Sequence, residues 1–199
     1  SNKITIYFAK LFSISVFIFI VIFLFINQKY FYHISLYIII NLFYTFFAKE
    51  IFILDLFILS FGYILRVDIG SISIGVETST FMFLTIFSLS FFVIALKRIG
   101  DLNINAKSEK NVYRNHIKLL NLTIVISVLS TLFFYILYSI LINVKFLITI
   151  PLICLILFRY YKRSINTNEG EFPLDLFFRD KILLFLSLIY FAYAIFIYL

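Results

Sequence analysis

Apolar runs of roughly eighteen residues or more recur along this chain, and that length marks a membrane-spanning helix. A soluble domain of 199 residues could not hide so much apolar surface, because 63% of the residues are hydrophobic and only 14% are charged. Mean hydropathy is +1.09. Five glycines and two prolines leave no material for a loop-rich fold. The fold class read from these features is an all-α polytopic membrane protein, one domain over residues 1–199, built as a bundle of about seven transmembrane helices. The expected spans are Ile4–Ile26, Phe31–Phe47, Ile51–Ile69, Phe81–Leu96, Leu119–Asn143, Phe146–Tyr160 and Ile182–Leu199. The second and third are close enough in sequence to form a tight hairpin. No internal repeat and no low-complexity linker divides the chain.

Basic residues orient such a bundle, because cytoplasmic loops retain Lys and Arg. With the N-terminus inside, Lys3, Lys10, Lys49, the segment from Lys97 to Lys118 and the segment from Arg159 to Lys181 all fall on the cytoplasmic side. That accounts for 14 of the 17 Lys and Arg residues, leaving Lys29 and Lys145 outside and Arg66 within a span. The expected location is therefore a plasma (inner) membrane, multi-pass, with the N-terminus cytoplasmic and the C-terminus external. In a soluble protein a formal charge of +7 would point to nucleic acid. Here it reads as topology plus an anionic ligand, and no nucleic-acid partner is expected.

A polar stripe interrupts the hydrocarbon. Tyr44-Thr-Phe-Phe-Ala-Lys49-Glu50 leads into Asp55, Gly62, Arg66 and Gly70. Ionisable groups inside a span are costly, so they mark function by default. Asp55 and Arg66 lie about three helical turns apart on one face, roughly 16 Å along the axis, with Gly62 between them. The alternative is a structural ion pair that holds helices together. Basic groups at a membrane–cytosol boundary above an apolar interior suit an amphiphile with a phosphate head, since Arg grips phosphate bidentately and Lys acts as a point charge. For Lys97, Arg98, Arg159, Lys162 and Arg163 the competing reading is simple enforcement of topology.

Other chemistry is not indicated. Cys154 is the sole cysteine, which excludes an intrachain disulfide. His33 looks interfacial, beside Tyr30 and Tyr32, and His116 lies in a basic segment; neither reads as a metal ligand or a catalytic base. No nucleophile triad order, phosphate-cradling glycine loop or zinc spacing occurs.

The stretch Tyr44-Thr-Phe-Phe-Ala-Lys49, followed by Leu54-Asp55-Leu-Phe-Ile-Leu-Ser-Phe-Gly62-Tyr-Ile-Leu65-Arg66, resembles the UbiA superfamily of intramembrane prenyltransferases. It is most similar to the branch that moves phosphoribose onto a polyprenyl phosphate. Further matches follow in order at Gly70 to Gly75-Val-Glu77-Thr-Ser79, Ala95-Leu-Lys97-Arg98-Ile-Gly-Asp101-Leu102, Phe158-Arg159-Tyr160 and Phe178-Arg179-Asp180. The superfamily's Asn-Asp-x-x-Asp-x-x-x-Asp motif is absent, as is its second acidic motif, in whose place stands Lys97-Arg98-Ile-Gly-Asp101. The resemblance implies that the chain begins just after the first acidic motif and lacks the first two of nine family helices. A start at Ser1, with Met82 the only methionine, agrees.

What the resemblance implies for function is transfer of phosphoribose from phosphoribosyl pyrophosphate to a polyprenyl phosphate, for a cell-envelope polysaccharide. Lys49, Asp55 and Arg66 would be catalytic. Tyr44, Lys97, Arg98 and Arg159 would contact substrate phosphate, Asp101 would assist Mg²⁺, and the site would face the cytoplasm. Two alternatives stand beside it: prenyl transfer to an aromatic acceptor within the same superfamily, and a non-catalytic membrane protein that binds polyprenyl phosphate.

Overall fold

The computed structural model describes residues 5–104, 116–167 and 173–198, and all its regular elements are helical. In chain order they are α1 (Ile6–Ile26), α2 (Phe31–Phe46), α3 (Phe52–Ile74), α4 (Thr80–Ile104), α5 (Ile117–Ile142), α6 (Ile150–Thr167), α7 (Pro173–Arg179) and α8 (Lys181–Tyr198). Short 3-10 turns at Gln28–Tyr30, Ala48–Glu50 and Val144–Thr149 join α1 to α2, α2 to α3 and α5 to α6.

Local chemistry sets the boundaries. The Thr5 hydroxyl accepts from the Phe8 amide at 3.4 Å and starts α1. α3 stops at Gly75, whose φ of 68° is left-handed and is accommodated without a Cβ. The Val76 amide then donates to the Ser71 carbonyl at 3.1 Å, closing the last turn. Inside the apolar helices, hydroxyls such as Ser88, Ser90 and Thr131 donate to carbonyls four residues back, which satisfies them within their own helix.

Four helical stretches are long and apolar enough to cross a membrane: Ile6–Ile26, Thr80–Leu102, Ile117–Ile142 and Val144–Ile165. Pro173–Arg179 and Lys181–Ile197 make a fifth if their 89° bend falls within one span. Four or five spans meet these criteria, against the seven read from the sequence. The two expected spans that do not are α2, only 16 residues long, and α3, which carries Asp55, Arg66 and Asp68. On α1 almost every large side chain is exposed, as expected of a helix whose solvent is lipid.

Three boundaries depart from the sequence reading. The span expected to end at Leu96 continues as helix to Ile104, so Lys97, Arg98 and Asp101 are helical rather than in a loop. The expected Phe146 start is a 3-10 turn, with α6 proper beginning at Ile150. Within the segment read as a second cytoplasmic loop stands α7. Residues 105–115 of the first loop, and Ile4 and Leu199 at the outermost span ends, lie outside the described residues.

Packing is uneven. α4 lies most extensively against α5 and next against α3, which pairs with α2 on its other side. The buried apolar cluster collects the first turns of α3 (Phe52, Leu56), the second half of α4 (Phe92 to Leu96), the start of α5 (Leu120, Ile124), the later part of α6 (Leu157, Tyr160), Leu176 of α7 and Leu183 of α8. All of these sit at the end of the bundle where the basic residues gather. At the opposite end a cavity of about 430 Å³ separates α4, α5, α6 and α8.

Candidate functional site

The tight turn between α2 and α3 makes them antiparallel neighbours, which sets Tyr44 of α2 beside Asp55 of α3. α4 returns to the same end and brings Arg98 to both. The Tyr44 hydroxyl donates to Asp55 Oδ1 at 2.8 Å. Arg98 grips Asp55 bidentately, Nε to Oδ2 at 2.8 Å and Nη2 to Oδ1 at 2.6 Å. Its Nη2 also donates to the Tyr44 hydroxyl at 3.1 Å, and Nη1 reaches Asp101 Oδ2 at 2.9 Å, one turn along α4. Asp55 is fully buried, while the Arg98 and Asp101 side chains are 14% and 18% exposed. A charge can be buried like this only when paired and hydrogen-bonded, and both Asp55 oxygens are so satisfied.

Asp55 and Arg66 do not pair. Both face α2, as their spacing requires, yet each meets a different residue there. Arg66 donates Nε and Nη2 to the Tyr37 hydroxyl at 3.1 and 2.6 Å, and its guanidinium lies over the rings of Tyr37 and Tyr63 at 5.3 and 5.2 Å. Gly62 lies between them with Tyr37 Cε2 3.8 Å from where a Cβ would stand. At the far end of the hairpin, His33 Nε2 and Asp68 Oδ2 are 3.0 Å apart. His33 was expected to be interfacial and isolated; in the fold it has a carboxylate neighbour.

The remaining basic residues divide into engaged and available. Arg159 pairs with the buried Asp180, Nε to Oδ2 at 2.8 Å, and Asp180 Oδ1 accepts the Ile182 and Leu183 amides at 3.0 and 3.3 Å, capping α8. The Arg159 guanidinium first, and then these two amides, hold the Asp180 carboxyl below the ordinary carboxylate range, against the opposing effect of burial. Lys49 is exposed in the 3-10 turn between α2 and α3, and Lys97 is half-buried next to Arg98. Neither pairs with a carboxylate among the described residues. His116 stacks on Phe52 with ring centroids 4.9 Å apart, closing the site from the start of α5.

Among the described residues no three His, Cys, Asp or Glu side chains come together as a metal cage. Asp55 has no oxygen to spare, and Asp101 commits one oxygen to Arg98. A hard cation such as Mg²⁺ accepts one or two protein carboxylates when substrate phosphates complete its shell. Asp101 fits that lesser role.

Neither the protein-family models nor the curated proteins compared with this chain include a match. The resemblance to the UbiA superfamily therefore rests on the ordered motifs, several of which meet in space: Tyr44, Asp55, Arg98 and Asp101 come from three separate stretches. Arg159 and Asp180, from two further stretches, form the second charged contact. Tyr37, Tyr63 and Asp68 are residues of these contacts that the sequence reading did not single out, and Asp180 it named only within a motif. The register of the α2–α3 hairpin was the signal for those three.

Proposed function

We propose that this protein is a membrane-embedded transferase that moves phosphoribose from phosphoribosyl pyrophosphate to a polyprenyl phosphate, at the end of the bundle we assign to the cytoplasm. The observation that carries this reading is the division of the basic residues. Arg98 and Arg159 are taken up by carboxylates and hold the scaffold. Lys49, in the turn between two of the helices that carry the Tyr44–Asp55–Arg98–Asp101 cluster, and Lys97, next to Arg98 in the third, have no carboxylate partner among the described residues. Two ammonium groups beside a rigid, partly buried polar cluster form a site for an anion with several oxygens.

The chemistry asks little of the chain beyond charge and position. An oxygen of the lipid phosphate forms a bond to the anomeric carbon. The bond from that carbon to pyrophosphate breaks, and pyrophosphate leaves with the electron pair. Lys49 and Lys97 neutralise the growing charge, and Asp55 fixes Arg98 so that the wall of the site does not move. Asp101 would be the carboxylate to hold a Mg²⁺ ion, which would supply further charge neutralisation. Seven spans and an inner-membrane location belong to this reading, with α2 and α3 as the polar hairpin on which the site is built.

The test uses membranes carrying the protein, a polyprenyl phosphate and phosphoribosyl pyrophosphate labelled in the ribose. Label should pass into the organic phase with release of pyrophosphate. Lys49→Ala should lower the rate about a hundredfold, while Lys145→Ala, at the opposite end, should leave it unchanged. Retention of the lipid with no release of pyrophosphate, across several polyprenyl phosphates, would replace this reading with the non-catalytic binding protein. The absence of a carboxylate cage among the described residues favours that second reading.

A further inference from the structure

Arg66 poses a problem that the cluster at the other end does not. It lies about 21 Å beyond the start of α3 and about 12 Å short of its end, at about 1.5 Å per residue. α3 runs alongside α4, a helix of membrane-crossing length. Arg66 therefore sits at hydrocarbon depth, and it is exposed. No carboxylate pairs with it among the described residues. A bare guanidinium facing lipid tails is too costly to persist, so this face meets water or an anion.

The surroundings decide between these. Of its five N–H donors, Arg66 directs two at one acceptor, the Tyr37 hydroxyl. That oxygen accepts from the guanidinium, so its own proton is left to donate outward. Tyr63, 41% exposed and stacked on the same guanidinium, carries a second phenol whose proton has no acceptor among the described residues. Three guanidinium protons and the Tyr37 phenol proton are thus left without an acceptor among the described residues around one fixed positive charge, with the Tyr63 ring stacked beside them. Water would leave the guanidinium charge uncompensated at this depth, whereas an oxyanion neutralises it and accepts from the same donors. Gly70, one turn further on, has open space where a Cβ would stand, so nothing bulky closes the approach.

We propose that Arg66, Tyr37 and Tyr63 form an intramembrane oxyanion site that takes the phosphate of a single-chain lipid phosphate, with its hydrocarbon chain lying in the bilayer. The inference rests on α3 lying in the membrane. It is a second site, about 16 Å along α3 from the Asp55 cluster and separate from the proposed reaction; it is tested without phosphoribosyl pyrophosphate, so its failure and the failure of the transferase reading are separate results.

The experiment is equilibrium binding of tritiated farnesyl phosphate to the full chain in neutral detergent micelles, with farnesol and inorganic phosphate as competitors. Farnesyl phosphate should bind, and farnesol should compete at least about tenfold more weakly. Arg66→Gln should weaken farnesyl phosphate about tenfold or more, Arg66→Lys should recover part of the loss, and Tyr63→Phe should cost about threefold. Helix content by circular dichroism identifies any variant that has not folded, and Tyr63→Phe keeps the ring packing if Arg66→Gln fails. Competition by inorganic phosphate that depends on Arg66 would keep the oxyanion site and assign it to free phosphate. Equal binding of farnesyl phosphate and farnesol, or unchanged binding by both Arg66→Gln and Tyr63→Phe, would overturn the site. So would a dimer that binds no lipid and dissociates on Arg66→Gln, since the guanidinium would then be covered by a second copy.

Discussion

Arg98 satisfies two carboxylates and a phenol at once, from a position just past the expected end of its span at Leu96. Removing one partner of a buried ion pair strands the other, which costs about 3–5 kcal/mol. Arg98→Met, which strands the fully buried Asp55, should therefore destabilise the protein by that amount in a reversible unfolding titration, and Asp55→Ala should cost less because Arg98 keeps Asp101. The double variant Asp55→Leu with Arg98→Met should lose clearly less than the two single variants summed, because neither charge is then stranded. Additive losses would mean that the pair is not coupled. Asp55 was legible in the sequence because a carboxylate amid Leu and Phe demands an explanation. Its partner was not, because Arg98 lies 43 residues away and helical spacing relates only residues on one helix. Arg66 lay too far along the same helix to reach it, so each charge found its partner on a neighbouring helix.

At the scale of elements, the corner between α7 and α8 turns on Asp180. Its carboxylate caps α8 and binds Arg159, so Asp180→Ala should lower stability by about 1 kcal/mol through the cap alone, read from thermal unfolding. The acid response has a definite sign. The native carboxyl titrates below its unfolded value, so its stabilisation is present above the ordinary carboxylate range and fades as pH falls through the depressed value. Asp180→Asn should therefore be less stable than wild type at neutral pH, and the gap should close on acidification. A gap that widened at low pH would reverse the assignment. α7 went unread in the sequence because polar residues surround it and only seven residues form it. Pro173 at its first position and Asp175 in its first turn were the available helix-start signals. The α4 extension was missed for a related reason: a charged run ends an apolar span without ending a helix.

For the whole molecule, the all-helical membrane architecture was legible because apolar run length is a direct consequence of bilayer thickness. The number of spans was less so, since α2 and α3 trade apolar length for polar contacts with each other. The orientation makes a testable claim. In a Cys154→Ser background, a cysteine at Lys145 should react with an impermeant thiol reagent in intact cells. One at Glu50 should react only after permeabilisation. The reverse pattern would move the Tyr44–Asp55–Arg98 cluster to the outer face and remove the proposed access of a soluble sugar phosphate from the cytoplasm.

The apolar cluster gathers six helices at one end and leaves the cavity of about 430 Å³ at the other. Lateral pressure from the surrounding lipid acts most where the cavity between α4, α5, α6 and α8 leaves side chains room to yield, and least where the cluster is close-packed. Changes in membrane thickness or chain order should therefore alter the width of that cavity while the carboxylate–guanidinium geometry stays fixed. The two ends of one small protein would then answer to different surroundings, the roomier one to the bilayer and the close-packed one to the charges within it.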